Sequence, residues 1–386
     1  MEGYVLKMTE LEMKEERVDL LRKTVIPFTE RAYKHDKNVT FPFENFNELK
    51  EIGYPALTIS KKYGGGGISL SEMLYLQAII GKADGSTALS IGWHMGIMKH
   101  LSENKVWSED KFAQVAKNVV ANGSLLNNAA SEPATGSPTR GGKPETYAKK
   151  TKQGWVINGR KTFTTLAPVL DYFVVSASID GSEEVGNFLI KRESAGVSID
   201  ETWDSIAMRG TGSHDLVLEN VNVEKDNLVE NLTNGKRKAA GWLLHIPACY
   251  FGIARAAQEY ANQFARTYSP NSISGTISDL PNVKQKMGEM ELTMLEAKHF
   301  LFSVARKWDE ADENTRQTMG PELSAVKLSV VNKALHVVDL AMRIAGARSL
   351  SEKNPLQRYY RDVRAGLHNP PMDDMTIMNL AKWDIT

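Results

Sequence analysis

Between Asn127 and Thr165 the chain reads NNAASEPATGSPTRGGKPETYAKKTKQGWVINGRKTFTT. Small residues run into a Ser131-Glu132-Pro133 turn and then a Gly136-Ser137 pair. An apolar strand ending in a glycine-containing turn leaves backbone N–H groups and hydroxyls free at one edge. Such donors can hold a flat, hydrogen-bonding, phosphate-bearing molecule. Farther on, Asn158-Gly159 predicts a tight turn into a Lys-Thr-Phe-Thr-Thr strand that presents Phe163 and Thr165. Two histidines are further candidates for chemistry: His94, in STALSIGWHMG, and His368, in LHNPP. Imidazole exchanges a proton near neutral pH, which suits it to acid–base work.

Each of these residues also has a plainer reading. Ser, Gly and Pro make corners in any turn-rich β-domain. His94 on an apolar helix face is a structural histidine, and His368 a turn residue before two prolines. Trp242, His245, Tyr250 and Phe251 form an aromatic cluster that is either helix core or the wall of a cleft for a bulky, apolar substrate.

The elements that must position these groups fall into three parts. Val18, Leu21, Val25, Phe28 and Ala32 recur at helical spacing, with Pro27 bending or dividing the segment. Helices are predicted over Ser71–Lys82 and Thr87–Leu101, after loops at Gly53–Pro55 and Lys61–Ser69. Strand-like runs follow at Trp155–Ile157, Tyr172–Ser178, Asn187–Lys191, Leu216–Leu218 and Val221–Val223. Helical spacing returns over Gly252–Thr267, Asn282–Ala311 and Glu322–Ala345. We therefore divide the chain into a helical domain (1–120), a central β-domain (121–234) and a helical bundle (235–386). Helices, strands and then helices indicate an α+β fold. GGGG at 64–67 follows no strand and does not match GxGxxG, which argues against a Rossmann domain.

Bulk properties exclude several classes. Lys plus Arg and Asp plus Glu are both 47 in 386 residues, so there is no basic surplus for nucleic acid or an acidic membrane. The single cysteine, Cys249, rules out an internal disulfide and a cysteine metal cluster, and we expect no metal. The longest uncharged run, Ala239–Ala254, is too short to span a membrane. The N-terminal segment carries charge throughout and is no signal peptide. These features lead us to expect a soluble, cytoplasmic protein.

The joint pattern of SEPxxGS, INGxKxFTT and a following apolar strand resembles the flavin-binding middle domain of the acyl-CoA dehydrogenase superfamily. MRGTGSHDLVLEN (Met208–Asn220), RIAGARSL (Arg343–Leu350) and the Arg361-Asp362 signature in PLQRYYRDVRAG are similar to other segments of that family. The resemblance implies an N-terminal helical domain, a central β-sandwich or barrel, a C-terminal four-helix bundle and a homotetramer. It implies FAD, with FMN possible. Ala130 and Ser131 would meet the flavin pyrimidine edge, Gly136 and Ser137 the pyrophosphate, and Phe163 and Thr165 the ring. Arg343 and Gly346 would lie near the adenine end of a neighbouring subunit's cofactor.

The same resemblance exposes an anomaly. The family's catalytic glutamate falls at Pro370 here, and the alternative segment, Gly241–Leu244, holds no acid. Three readings follow. The first, which the resemblance favours at the level of the family, is an acyl-CoA dehydrogenase that oxidises the α,β-bond of an acyl-CoA thioester with an unusual base, for which Asp373 and Asp374 are the nearest carboxylates, served by an electron acceptor. The second is a reduced-flavin monooxygenase of the dibenzothiophene monooxygenase type, served by a flavin reductase and acting on an apolar small molecule, with His368 and His94 at the flavin. The third is a non-catalytic protein that binds flavin or acyl-CoA.

Overall fold

The computed structural model describes residues 6–135, 142–232 and 239–383. The chain opens with α1 (Lys14–Thr24), α2 (Phe28–Asn38), α3 (Phe43–Glu51), α4 (Leu70–Ala83), α5 (Gly85–Asn104) and α6 (Glu109–Asn122). The break between α1 and α2 falls at Pro27, which has no N–H to continue a helix and leads directly into the next. Side-chain caps start the later helices. Ser69 accepts from the Glu72 N–H, Asp84 from Ser86 and Thr87, and Ser108 from Lys111. Gly123, at φ 65°, ends α6 in the left-handed conformation.

The strands are β1 (Leu126–Ala129), β2 (Tyr147–Lys150), β3 (Gly154–Thr164), β4 (Tyr172–Ile179), β5 (Val185–Lys191), β6 (Val197–Asp200), β7 (His214–Glu224) and β8 (Leu228–Asn231). They form one hydrogen-bonded sheet in the order β6-β7-β3-β2-β4-β5-β8. β1 and β2 both run parallel to β4 at successive positions: Leu126–Ala129 beside Tyr172–Val175, and Tyr147–Ala148 beside Ser178–Ile179. The chain between β1 and β2 therefore leaves the sheet at the Ala130–Ser131 corner.

Two sequence expectations need correction here. Asn158-Gly159 is no turn: β3 runs through it, with a register shift between Ile157 and Gly159. A Cβ on Gly159 would lie 2.4 Å from Thr146 Oγ1, so glycine permits a close strand approach rather than a reversal. Leu216–Leu218 and Val221–Val223 belong to one strand, β7, irregular at Asn220 with φ 52°.

The C-terminal part comprises α7 (His245–Thr267), α8 (Pro281–Glu310), α9 (Glu313–Thr318), α10 (Gly320–Ala345), α11 (Pro355–Ala365) and α12 (Asp373–Leu380). α10 packs on α7, α8 and α11, α7 also packs on α8 and α11, and α7 runs along α4. That crossing is close: a Cβ on Gly252 would lie 2.4 Å from the Ala78 carbonyl oxygen, and one on Gly81 2.6 Å from that of Cys249. A continuous set of buried side chains runs from Phe28 and Leu74 through Phe173 and Phe188 to Val330 and Val363. Among the described residues no helix is long and apolar enough to cross a membrane, and no cluster of His, Cys, Asp or Glu could hold a metal ion.

Candidate functional site

Phe163 stands at the end of β3, where the pairing with β7 slips between Lys161 and Thr164. Its backbone has φ 55°, and 67% of its surface is exposed. A bulky residue with positive φ is strained, and such strain persists where the surroundings or a ligand hold it. The Thr162 N–H donates to the Ser131 carbonyl at 2.9 Å, which brings the half-buried Ala130–Ser131 corner beside Phe163. The Trp203 ring meets Phe163 edge-on, with centroids 6.0 Å apart.

Beneath this surface lies a buried ion pair. Lys161 Nζ contacts Glu132 Oε1, with side chains 0% and 1% exposed. Glu132 also accepts the N–H groups of Glu145 at 2.6 Å and Thr146 at 3.0 Å. It thereby closes the loop between β1 and β2 and fixes the Ser131 corner. Thr165 is held from both sides. The Asn127 side-chain amide donates to its carbonyl at 2.9 Å, and its hydroxyl lies 2.9 Å from Ser213 Oγ. From Ser213 the network continues to Thr211 Oγ1 at 2.8 Å and on to the Met208 carbonyl at 3.0 Å. The Met208 N–H donates to Asp362 Oδ1 at 2.7 Å, linking the sheet to α11.

The structure thus brings Ala130, Ser131, Phe163 and Thr165 together; Gly136 and Ser137 lie outside the described residues. Arg343 and Gly346 are not part of this surface. They line a separate cleft of about 340 Å³ between α7, α8 and α10, to which no sheet residue contributes. Arg343 pairs there with Asp339 at 2.7 Å.

His94 departs from the catalytic expectation. It is fully buried, its Nδ1 accepts the Leu126 N–H at 3.1 Å, and its Nε2 donates to the Pro55 carbonyl at 3.1 Å. Burial drives its pKa down to about 4. Both nitrogens of a neutral imidazole are committed to backbone, so His94 clamps α5 to the start of β1 and has no site left for a reacting proton. His368 is exposed, in a turn at Gly366–His368 after α11. Its neighbour Asn369 accepts from the hydroxyl of buried Tyr250 at 2.5 Å. Asp373 is engaged by Lys327 Nζ at 3.2 Å and Asn332 Nδ2 at 3.4 Å. Asn127, Trp203 and Asp362 escaped sequence reasoning as site residues, because groups they meet lie on other elements; Thr211 meets only Met208 and Ser213 within its own loop and carries no distinctive sequence mark.

Family models for the N-terminal, middle and C-terminal domains of acyl-CoA dehydrogenases match residues 8–104, 127–221 and 244–369. The chain belongs to the acyl-CoA dehydrogenase family. It is 54% identical to YdbM of Bacillus subtilis strain 168, whose name gives acyl-CoA dehydrogenase as an unproven activity; the match covers 92% of both chains. It is 28% identical to the L-evernosamine nitrososynthase of a Micromonospora species, over 90% of this chain and 85% of that one. Among solved structures, the TdsC protein of Paenibacillus sp. A11-2, crystallised with FMN and indole, superposes with a TM-score of 0.85 at 22% identity, covering 95% of this chain and 96% of that one.

Proposed function

We propose that this protein is a flavin-dependent oxidoreductase that oxygenates an apolar small molecule at the expense of reduced flavin. The observation that carries the reading is the state of the carboxylates. Neither base segment, Gly241–Leu244 or Gly366–Pro371, contains one. Asp373 is tied to Lys327, and Asp362 is buried under the Met208 N–H. Removing the α-proton of a thioester needs a free carboxylate within reach of the substrate. Oxygen transfer needs no such base, only a dry chamber and a group that exchanges protons.

The residues present fit a flavin. Phe163 offers an exposed aromatic face on a strained backbone, and the Ala130–Ser131 corner offers donors beside it. Ala130 and Ser131 would bond the pyrimidine edge, Phe163 would cover a ring face, and Thr165 would bond nearby. When bound, the flavin supplies the redox chemistry, as FMN or FAD. The chain's own part is to orient and enclose. The Thr165–Ser213–Thr211 network fixes the wall, and His368, exposed beside Asn369, presents an imidazole at the end of α11. The nitrososynthase and TdsC likenesses support this reading.

A second reading, α,β-dehydrogenation of an acyl-CoA, is favoured by the 54% identity to YdbM. The two separate cleanly. Purified protein loaded with FMN or FAD should keep its colour when mixed with butyryl-CoA without oxygen. With photoreduced flavin, oxygen and indole it should release an oxygenated product detectable by mass spectrometry. Anaerobic bleaching by the thioester would overturn the oxygenase reading.

A further inference from the structure

A cleft of about 610 Å³ lies between α1, α4, α7 and α8. No residue of the sheet or of the Ala130–Phe163 surface lines it. Its size falls within the ~300–1,000 Å³ typical of small-molecule sites. The sequence leaves this space open. Ala78 and Ala83 of α4 and Gly252 of α7 line it and contribute almost no side chain. α1 packs on α4, and α8 on both α4 and α7, so the flanking helices stand over a trough rather than a filled seam.

Three half-buried rings form its apolar floor. Phe302 of α8 is tilted by 58° to Tyr75 of α4, with centroids 6.2 Å apart, and stands edge-on to Phe251 of α7 at 6.3 Å. Around the rings stand four cations, Arg22, Lys82, Arg255 and Lys298, against two carboxylates, Glu259 and Glu291. Both carboxylates are engaged. Glu259 lies 2.6 Å from Lys82 Nζ and 3.2 Å from Arg255 Nε. Glu291 accepts from the Gln258 amide at 2.7 Å and lies 3.9 Å from Arg255. The other two cations sit at the aromatic end. Arg22 donates to the Tyr75 hydroxyl at 3.2 Å, and the acid beside it, Asp19, is 3.8 Å away with both side chains more than half exposed. Lys298, one turn before Phe302 on α8, makes no hydrogen bond or ion pair among the described residues. That end therefore carries positive charge with no carboxylate at hydrogen-bonding distance.

We propose that this cleft binds an organic anion, with an apolar body laid on Tyr75, Phe251 and Phe302 and one carboxylate held by Arg22 and Lys298. Rings left open to water gain from contact with an apolar body. A carboxylate beside them forms charge-assisted hydrogen bonds with the guanidinium and the ammonium. A neutral body of the same shape gains only the first of these, and a small inorganic anion only the second. An organic cation meets the surplus of two positive charges and is disfavoured. The site is separate from the flavin surface, so it stands whichever reaction the protein catalyses.

Calorimetric titration of the flavin-loaded protein at pH 7 with 2-naphthoate, 2-naphthol and acetate checks it. 2-Naphthoate should bind at least tenfold more tightly than uncharged 2-naphthol, and more tightly still than acetate. Arg22→Gln and Lys298→Gln alter exposed side chains and should leave the fold intact. Each should weaken 2-naphthoate at least fivefold while 2-naphthol and FMN binding stay within twofold of the parent. Lys284→Gln, an exposed lysine of α8 outside the cleft, should change none of the three. Naphthoate binding no tighter than that of naphthol or acetate would overturn the assignment. So would cleft variants that bind naphthoate as Lys284→Gln does. Loss of FMN and naphthoate binding together in Lys298→Gln would put the anion at the flavin surface and overturn it too. Failure to oxygenate indole sinks only the proposed reaction; loss of naphthoate selectivity sinks only this inference.

Discussion

Arg361 grips Asp36 as a fork on a fork, with Nη1 2.9 Å from Oδ1 and Nη2 2.6 Å from Oδ2, and so ties α11 to α2. The same guanidinium donates to the Ile206 carbonyl in the loop before β7. One side chain therefore holds all three parts of the chain together. The side chains are 21% and 10% exposed, so the pair is largely dry. Arg361→Ala leaves Asp36 without its partner and should cost about 3 kcal/mol, read from the urea midpoint. Arg361→Lys should recover less than half of this, because an ammonium cannot make the forked contact. An alanine variant within 1 kcal/mol of the parent would contradict the role of the pair.

The next residue, Asp362, makes stability depend on pH. Burial raises its carboxyl to about 7 from an ordinary 3.8, against the opposing pull of the Met208 N–H and Arg358. The folded state then keeps a proton that the unfolded chain gives up. Stability from this group is complete below about pH 4 and falls as the pH rises to about 7, by roughly 4 kcal/mol at most. Asp362→Asn keeps the acceptor for Met208 and removes the titration. Its stability relative to the parent should climb between pH 5 and pH 8 in urea unfolding. A constant difference across that interval would show that Asp362 does not titrate there.

His94 works in the opposite direction. Its pKa falls to about 4 from 6.5, so the unfolded chain takes up a proton that the folded one refuses. Stability is full above about pH 6.5 and is lost toward pH 4, by about 3 kcal/mol. His94→Gln should lose about that much less than the parent when both are taken from pH 7 to pH 4. If the two lose the same amount, the imidazole is not held neutral by its place between Leu126 and Pro55.

Phe163 sets stability against function. Its left-handed backbone suits glycine, and its exposed ring contributes little to the core. Phe163→Gly should raise stability by about 1 kcal/mol and weaken flavin binding at least tenfold. Thermal unfolding of the flavin-free protein and fluorescence titration with FMN separate the two effects. A variant that binds FMN as the parent does would remove Phe163 from the cofactor surface.

Local signals made the helices legible. Pro27 divides α1 from α2, and the apolar spacing of Glu322–Ala345 marks α10. The short strands β2, β6 and β8 were not, because YAKK, VSID and LVEN bury few side chains and read as polar loop. Asn158-Gly159 misled because the dipeptide that makes a hairpin also permits a close strand approach. The Ser131, Phe163 and Thr165 surface could be read because its residues lie within one stretch of chain. The contact from Met208 to Asp362 spans 154 residues and leaves no local mark. His245 read as one member of an aromatic cluster, since nothing in a sequence reveals that both ring nitrogens lack a partner among the described residues.

Asp373 tests the absence of a carboxylate base most directly. It stands at the start of α12 and is one of the two acids nearest the segment where the family's base falls. Its oxygens are taken by Lys327 and Asn332, and Lys327 itself is only 1% exposed. Burial lowers the Lys327 pKa while the Asp373 carboxylate opposes the shift. Breaking a buried pair costs about 3–5 kcal/mol. Asp373 is 36% exposed on its side chain, so solvent screens part of that and about 2 kcal/mol is the expected loss. Asp373→Asn should therefore lower the urea midpoint and leave turnover within threefold of the parent, measured well below the unfolding temperature with flavin saturating. A base removed in the same way would cut turnover by orders of magnitude at unchanged stability. That pattern in Asp373→Asn would return proton abstraction to this chain and restore the dehydrogenase reading.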